Sequence, residues 1–179
     1  MTIRLTGEGL VQMSTSLDSF SGDQIYVDTM LFYTLLRAEE KVRPIVQRFF
    51  SRIESGEILA YTSVLSFDEL AYRLILALIK DKYGGSPLEH LRAREMELLK
   101  ELAPVVVPRL RSLRAFPNLI VTEIISQDVC EMLQNMLDYP LRPRDALHFS
   151  AMQRLNCLDL ASNDHHFDEV AAIRRFSIC

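Results

Sequence analysis

The chain has 179 residues, a formal net charge of −4, 49% hydrophobic and 25% charged residues. This balance excludes a disordered chain and fits one folded domain with a sizeable core. It also excludes a surface that grips nucleic acid all round, which would be basic, so a nucleic-acid partner must meet a local patch or bound cations.

Residues 1–23 are rich in Ser, Thr, Gly and Asp and lack the apolar stretch of a signal peptide. They read as an extension ahead of a main domain over 24–179. QIYVD at 24–28 reads as a buried strand that ends in a carboxylate, Asp28. The pattern turns helical from 29 to about 37, and a second helix covers about 42–54 before Gly56. Residues 58–61 form a second strand. Phe67, Leu70, Ala71, Leu74, Ile75, Leu78 and Ile79 recur on one helical face, and Gly84-Gly85 ends that helix. Ser86-Pro87-Leu88-Glu89 has the capping-box pattern of a helix start. The charged helix it opens runs to about 102, where Pro104 and Pro108 interrupt the chain. Strands follow at 118–121, 157–161 and 176–178, with helices at about 126–137 and 143–155.

Apolar strands alternating with helices are the pattern of an α/β protein whose parallel sheet, here of about five strands, is covered on both faces. No apolar run is long enough to span a membrane. Cys130, Cys157 and Cys179 are widely spaced and odd in number, which fits reduced thiols in a cytoplasmic setting.

The acids carry the chemistry. Asp28 ends the first strand, where it either binds a ligand or caps the next helix. Glu69 lies off the apolar stripe of its helix, within reach of Arg73 one turn on, and spacing does not choose between it and Asp68. Asp145 opens the helix that Pro143 starts, and the helix dipole favours it there. His148, one turn on, fits a structural role better than a ligand's. Asp164 follows the fourth strand in Ser162-Asn163-Asp164, a sequence that suits a turn or cap, and Asp168 comes a turn later. The adjacent His165 and His166 point differently and make a poor metal pair. Together Asp28, Glu69, Asp145 and Asp164 converge on one edge of the sheet. Four bare carboxylates repel. Divalent cations resolve the conflict, and oxygen-only ligands suit Mg²⁺ or Mn²⁺ rather than zinc. Such ions activate water and stabilise the leaving oxygen in phosphodiester cleavage.

In order and surroundings, YVDTMLF, SFDEL, RPRDALHFSAM and ASNDHHFDEV resemble the PIN-domain nucleases, and within them the VapC-type toxin ribonucleases, over about 24–178. The resemblance implies a three-layer α/β/α sandwich around a mostly parallel sheet, RNA cleavage with Mg²⁺ or Mn²⁺, an antitoxin partner and a homodimer. It implies that Asp28, Glu69, Asp145 and Asp164 form the acidic site. Thr29 and Ser162 match hydroxyl positions that support it, and Asp168 matches an acid less consistently used. The sequence departs from the pattern at Met30, where the family often has Asn, in the 1–23 extension, and in a helical insertion at about 84–117. That insertion carries Arg109, Arg111 and Arg114, interleaved with Leu110, Leu113 and Phe116. They form either a solvated helical surface or an RNA-gripping arm, and Arg144 beside Asp145 is a further RNA-binding candidate. A catalytically weak module that binds RNA or a protein is the alternative. Asp-x-Asp phosphatase chemistry is set aside because Met30 occupies the second acid's position, and a dinucleotide fold because no Gly-x-Gly-x-x-Gly follows the first strand.

Overall fold

The computed structural model describes residues 15–37 and 43–178. Its centre is β2 (Gln24–Val27). Ile25, Tyr26 and Val27 are all fully buried, because helices cover both faces of the strand. Side chains alternate along it. Ile25 and Val27 enter one core with α1 (Thr29–Arg37), α2 (Arg43–Glu54), α3 (Val64–Tyr83) and the end of α4 (Pro87–Arg114). Tyr26 points the other way, into a second core with α5 (Ser126–Asp138) and α6 (Pro143–Arg154). The result is the expected three-layer α/β/α sandwich.

The sheet has six strands, completed by β1 (Thr15–Ser16), β3 (Leu59–Ser63), β4 (Leu119–Thr122), β5 (Asp159–Ala161) and β6 (Arg174–Ser177). They lie in the order β1-β6-β5-β2-β3-β4, and every pairing is parallel. The chain runs outward from β2 through β3 to β4, then returns to β5 on the other side of β2. That reversal opens a crevice at the carboxyl ends of the strands, the place where such sheets bind ligands.

Three features depart from the sequence expectation. The sixth strand, β1, lies in the segment read as an extension. It pairs with β6, and the turn after it buries Leu17 at 0% and Phe20 at 3% exposure, so residues 15–23 belong to the folded unit. Residues 1–14 lie outside the described residues. The prolines do not interrupt α4, which passes through Pro104 and Pro108 to Arg114. Each proline removes a helix hydrogen bond, and burial of Leu102, Val106 and Leu113 on the inward side offsets the loss. The break falls instead at Arg94 (φ −139°, ψ 38°), whose guanidinium is held by Glu97 and lies over the Tyr83 ring. Beyond the sheet, α3 and α4 pack on each other through a small core of Ile79, Leu91, Leu98 and Leu102. No helix among the described residues is long and apolar enough to cross a membrane.

If residues 15–20 are part of the fold, Leu17→Ala lowers the unfolding free energy by about 2–4 kcal/mol in urea titrations. A change below about 0.5 kcal/mol, the ordinary range of surface substitutions, would show that the segment only lies on the surface.

Candidate active site

A cleft of about 490 Å³ opens at the carboxyl edge of the sheet, lined by Asp28, Thr29, Glu69, Asp145, Asp164 and a basic rim of Arg73, Arg142 and Arg144. All four acids singled out in the sequence line it.

Each is held by a different element. Asp28 follows β2, and its backbone N–H donates to the Ala161 carbonyl of β5 at 3.1 Å. The buried Ser162 hydroxyl donates to Asp28 Oδ2 at 2.7 Å and accepts from the Asp164 backbone N–H at 3.0 Å. One hydroxyl therefore ties together two acids 136 residues apart in sequence, just past the ends of adjacent strands. Asp164 caps the short 3-10 turn His165–Glu169, accepting from the His166 backbone N–H at 3.0 Å, and its Oδ1 lies 2.6 Å from His166 Nδ1. Thr29, at the start of α1, donates to Glu69 Oε2 at 2.6 Å. Arg144 Nη1 stands 3.5 Å from Glu69 Oε1, and His148 Nε2 stands 3.6 Å from Oε2. Asp145, in the first turn of α6, differs from the others. Its Oδ2 is buried and has no hydrogen-bond partner among the described residues.

The structure chooses between Glu69 and Asp68. Glu69 faces the cleft, while Asp68 stays exposed at the rim, 3.6 Å from Arg144. Arg73 pairs with neither acid and donates to Met30 Sδ at 2.9 Å. Asp168 does not line the cleft. Arg175 holds it with two hydrogen bonds, at 2.7 and 2.6 Å, and also donates to the Ser162 carbonyl at 3.0 Å. Arg175 thus links Asp168 to the loop that carries Ser162. Arg109, Arg111 and Arg114, near the end of α4, are not among the cleft residues, whereas Arg144 is. Sequence reasoning missed Arg73 and Arg142 as cleft residues, although Arg142 stands in the quoted RPRD. It also missed the environment of His148, which is 2% exposed and 2.8 Å from the Tyr26 hydroxyl.

The charges fall into two groups. Burial, then Asp164 and Asp28, raise the Asp145 carboxyl above its ordinary value, with His148 and Arg142 opposing. Burial also raises Asp28, against His148 and the Ser162 hydrogen bond. Burial raises Glu69 and Asp164 as well but is outweighed: by His148, Thr29 and Arg144 for Glu69, and by His166 and Arg142 for Asp164. Asp28 and Asp145 are therefore the acids short of positive charge. A hard divalent cation fits this donor set: carboxylate oxygens predominate, and a buried oxygen lacks a partner.

The family model for the PIN domain matches residues 25–173. A comparison with curated protein sequences returns no significant match. Among solved structures, the chain is similar to VapC20 of Mycobacterium tuberculosis, described as a sarcin-ricin loop cleaving toxin. The TM-score is 0.54 at 14% identity, over 82% of this chain and 95% of that one. It is also similar to VapBC2 from Rickettsia felis, solved on a DNA fragment from their promoter, with TM-score 0.58 at 10% identity over 86% and 98% of the two chains. A toxin–antitoxin complex from Klebsiella pneumoniae aligns with TM-score 0.52 at 11% identity over 83% and 94%. At these identities the likeness is one of fold.

A carboxyl whose pKa is raised by folding destabilises the native state when it is ionised. In EDTA at pH 7, Asp145→Asn therefore raises the melting temperature by a few degrees, the equivalent of about 1–2 kcal/mol. The gain shrinks as pH falls through the raised folded value, and vanishes only about a unit below the ordinary aspartate value of about 4, where the carboxyl is protonated in both states. Calorimetric melts from about pH 3 to pH 8 check both the sign and the window.

Proposed function

Because the chain belongs to the PIN domain family, we propose that it is a metal-dependent endoribonuclease that cleaves RNA phosphodiester bonds, and the toxin of a type II toxin–antitoxin pair. The observation that carries this reading is the convergence of four acids on one basic-rimmed cleft, with one buried carboxylate oxygen left unpartnered.

In this reading Asp28, Glu69, Asp145 and Asp164 hold Mg²⁺ or Mn²⁺. Bound there, such ions lower the pKa of water and offset charge on the leaving oxygen. The chain's own residues set the geometry. Ser162 fixes Asp28 against the Asp164 loop, Asp168 and Arg175 fix Ser162, and Thr29 fixes Glu69. Arg142 and Arg144 present guanidinium groups at the rim, where a phosphate backbone would enter. The nuclease unit comprises 24–179 with 15–23 completing its sheet. The helical insertion at 84–117 offers Arg109, Arg111 and Arg114 to RNA outside the cleft.

An antitoxin partner is proposed because the structures of like fold include VapBC2 and a toxin–antitoxin complex. A homodimer and a cytoplasmic setting, in which Cys130 and Cys157 remain the free thiols they are here, complete the reading. One observation favours the alternative of a binding module with weak activity. Arg144 lies beside both Asp68 and Glu69, and so lends one acid of the site a cation of the chain's own.

Pure protein incubated with RNA is expected to cleave it in Mg²⁺ or Mn²⁺ and to stop in EDTA. Asp28→Asn and Asp145→Asn, which keep shape and remove charge, each lower the rate by at least about 100-fold. Cleavage that survives EDTA and both substitutions would refute the acidic site. Metal binding and RNA binding without cleavage would favour the module.

A further inference from the structure

His148 lies one turn after Asp145 on α6, with its ring 2% exposed. Its Nδ1 stands 2.8 Å from the Tyr26 hydroxyl and 3.4 Å from Ser63 Oγ. Its Nε2 is buried and makes no hydrogen bond among the described residues. The nearby carboxylate oxygen, Glu69 Oε2, is 3.6 Å away, too far to accept one. A buried ring N–H with no acceptor is costly, whereas a lone pair in the same place is free to meet a cation.

The surroundings favour the lone pair. The buried Tyr26 hydroxyl oxygen lies 2.8 Å from Nδ1, within reach to accept Nδ1–H. With the proton on Nδ1, Nε2 offers its lone pair on the side of Glu69, the arrangement in which a second hydrogen bond fixes the tautomer of a metal-ligating histidine. A ring nitrogen of His148, an oxygen of Asp28 and an oxygen of Glu69 all lie within 4.8 Å of one another, and Nε2 is the nitrogen 3.6 Å from Glu69. Glu69 is steadied by Thr29 and Asp28 by Ser162, so two of the three ligands are already oriented.

We propose that His148 Nε2 joins Asp28 and Glu69 as the nitrogen ligand of a divalent cation, and that this mixed nitrogen–oxygen set makes the site prefer Mn²⁺ to Mg²⁺. The inference rests on the cation-holding cleft of the proposed function and adds a ligand and a selectivity to it. Imidazole suits borderline transition metals, while Mg²⁺ is an oxygen-seeking ion that parts reluctantly with water. The other histidine-containing group, Asp164 with His165 and His166, lacks this character. There His166 Nδ1 already bonds Asp164, and His165 is exposed.

The test needs no RNA. Metal-free protein is titrated with Mn²⁺ and with Mg²⁺ by calorimetry, and the Mn²⁺ form is studied by pulsed electron paramagnetic resonance. The wild type shows the nitrogen modulation of a directly bound imidazole, and the pattern changes when the protein carries ¹⁵N-histidine. His148→Gln loses the modulation and binds Mn²⁺ about 10–100-fold more weakly, with Mg²⁺ affinity changed about threefold or less. His166→Gln keeps the modulation. Bound Mn²⁺ without nitrogen modulation in the wild type, modulation that survives His148→Gln, or equal loss of both metals would overturn the proposal. Should His148→Gln fail to fold, nitrogen modulation that persists in His165→Gln and in His166→Gln assigns the ligand to His148, and its loss in either overturns the proposal. Nitrogen-bound Mn²⁺ in a protein that cuts no RNA would sink the nuclease reading and leave the histidine ligand standing. RNA cleavage with Mn²⁺ bound only by oxygen would do the reverse.

Discussion

The architecture around the cleft is governed by repulsion among carboxylates brought together at the ends of parallel strands. Burial and then Asp164 and Asp28 raise the cost of ionising Asp145, and burial and then Glu69 raise that of Asp28. The surrounding residues answer in kind. A serine hydroxyl, a threonine hydroxyl, a histidine and an arginine are each turned toward these acids. Where that supply stops, at Asp145 Oδ2, a demand for positive charge remains. The site is stable as a fold and incomplete as an electrostatic unit, a state suited to a metal centre that must load from solution.

Supporting residues form a chain of dependence from periphery to cleft. Arg175, in a largely buried pair with Asp168, donates to the Ser162 carbonyl, and the Ser162 hydroxyl bonds Asp28 and the Asp164 backbone. Breaking a buried ion pair by removing one partner strands the other charge. Damage at Asp168 would therefore reach the cleft as misplacement of Asp28 rather than as loss of a ligand.

Much of this was legible in the sequence because strand ends and helix starts obey local rules. Asp28, Asp145 and Asp164 could be placed by an apolar run ending, a proline beginning a helix and a turn sequence. Glu69 could not be separated from Asp68, because adjacent residues on a helix differ in outlook by packing, which period alone does not supply. His148 fits the buried stripe of its helix, and only the Tyr26 hydroxyl on the facing strand reveals that one ring nitrogen is satisfied and the other is not. Pro104 and Pro108 misled because local propensity yields to burial on a long helix packed against a core. β1 escaped because two residues carry no readable period, and its partner lies at the far end of the chain.

That long reach bears on when the protein becomes competent during its synthesis. Asp28 leaves β2 at residue 28, but the strand beside it, β5, begins at Asp159, and β1 must wait for β6 at Arg174–Ser177. Pairings between such distant segments form late, because the loops they close are long. A growing chain halted before residue 159 lacks β5, so β2 has β3 alone beside it, and one halted before residue 164 lacks Asp164 altogether. The four acids cannot meet until residue 164 has been added, so the cleft closes only after the strands on both flanks of β2 have been made.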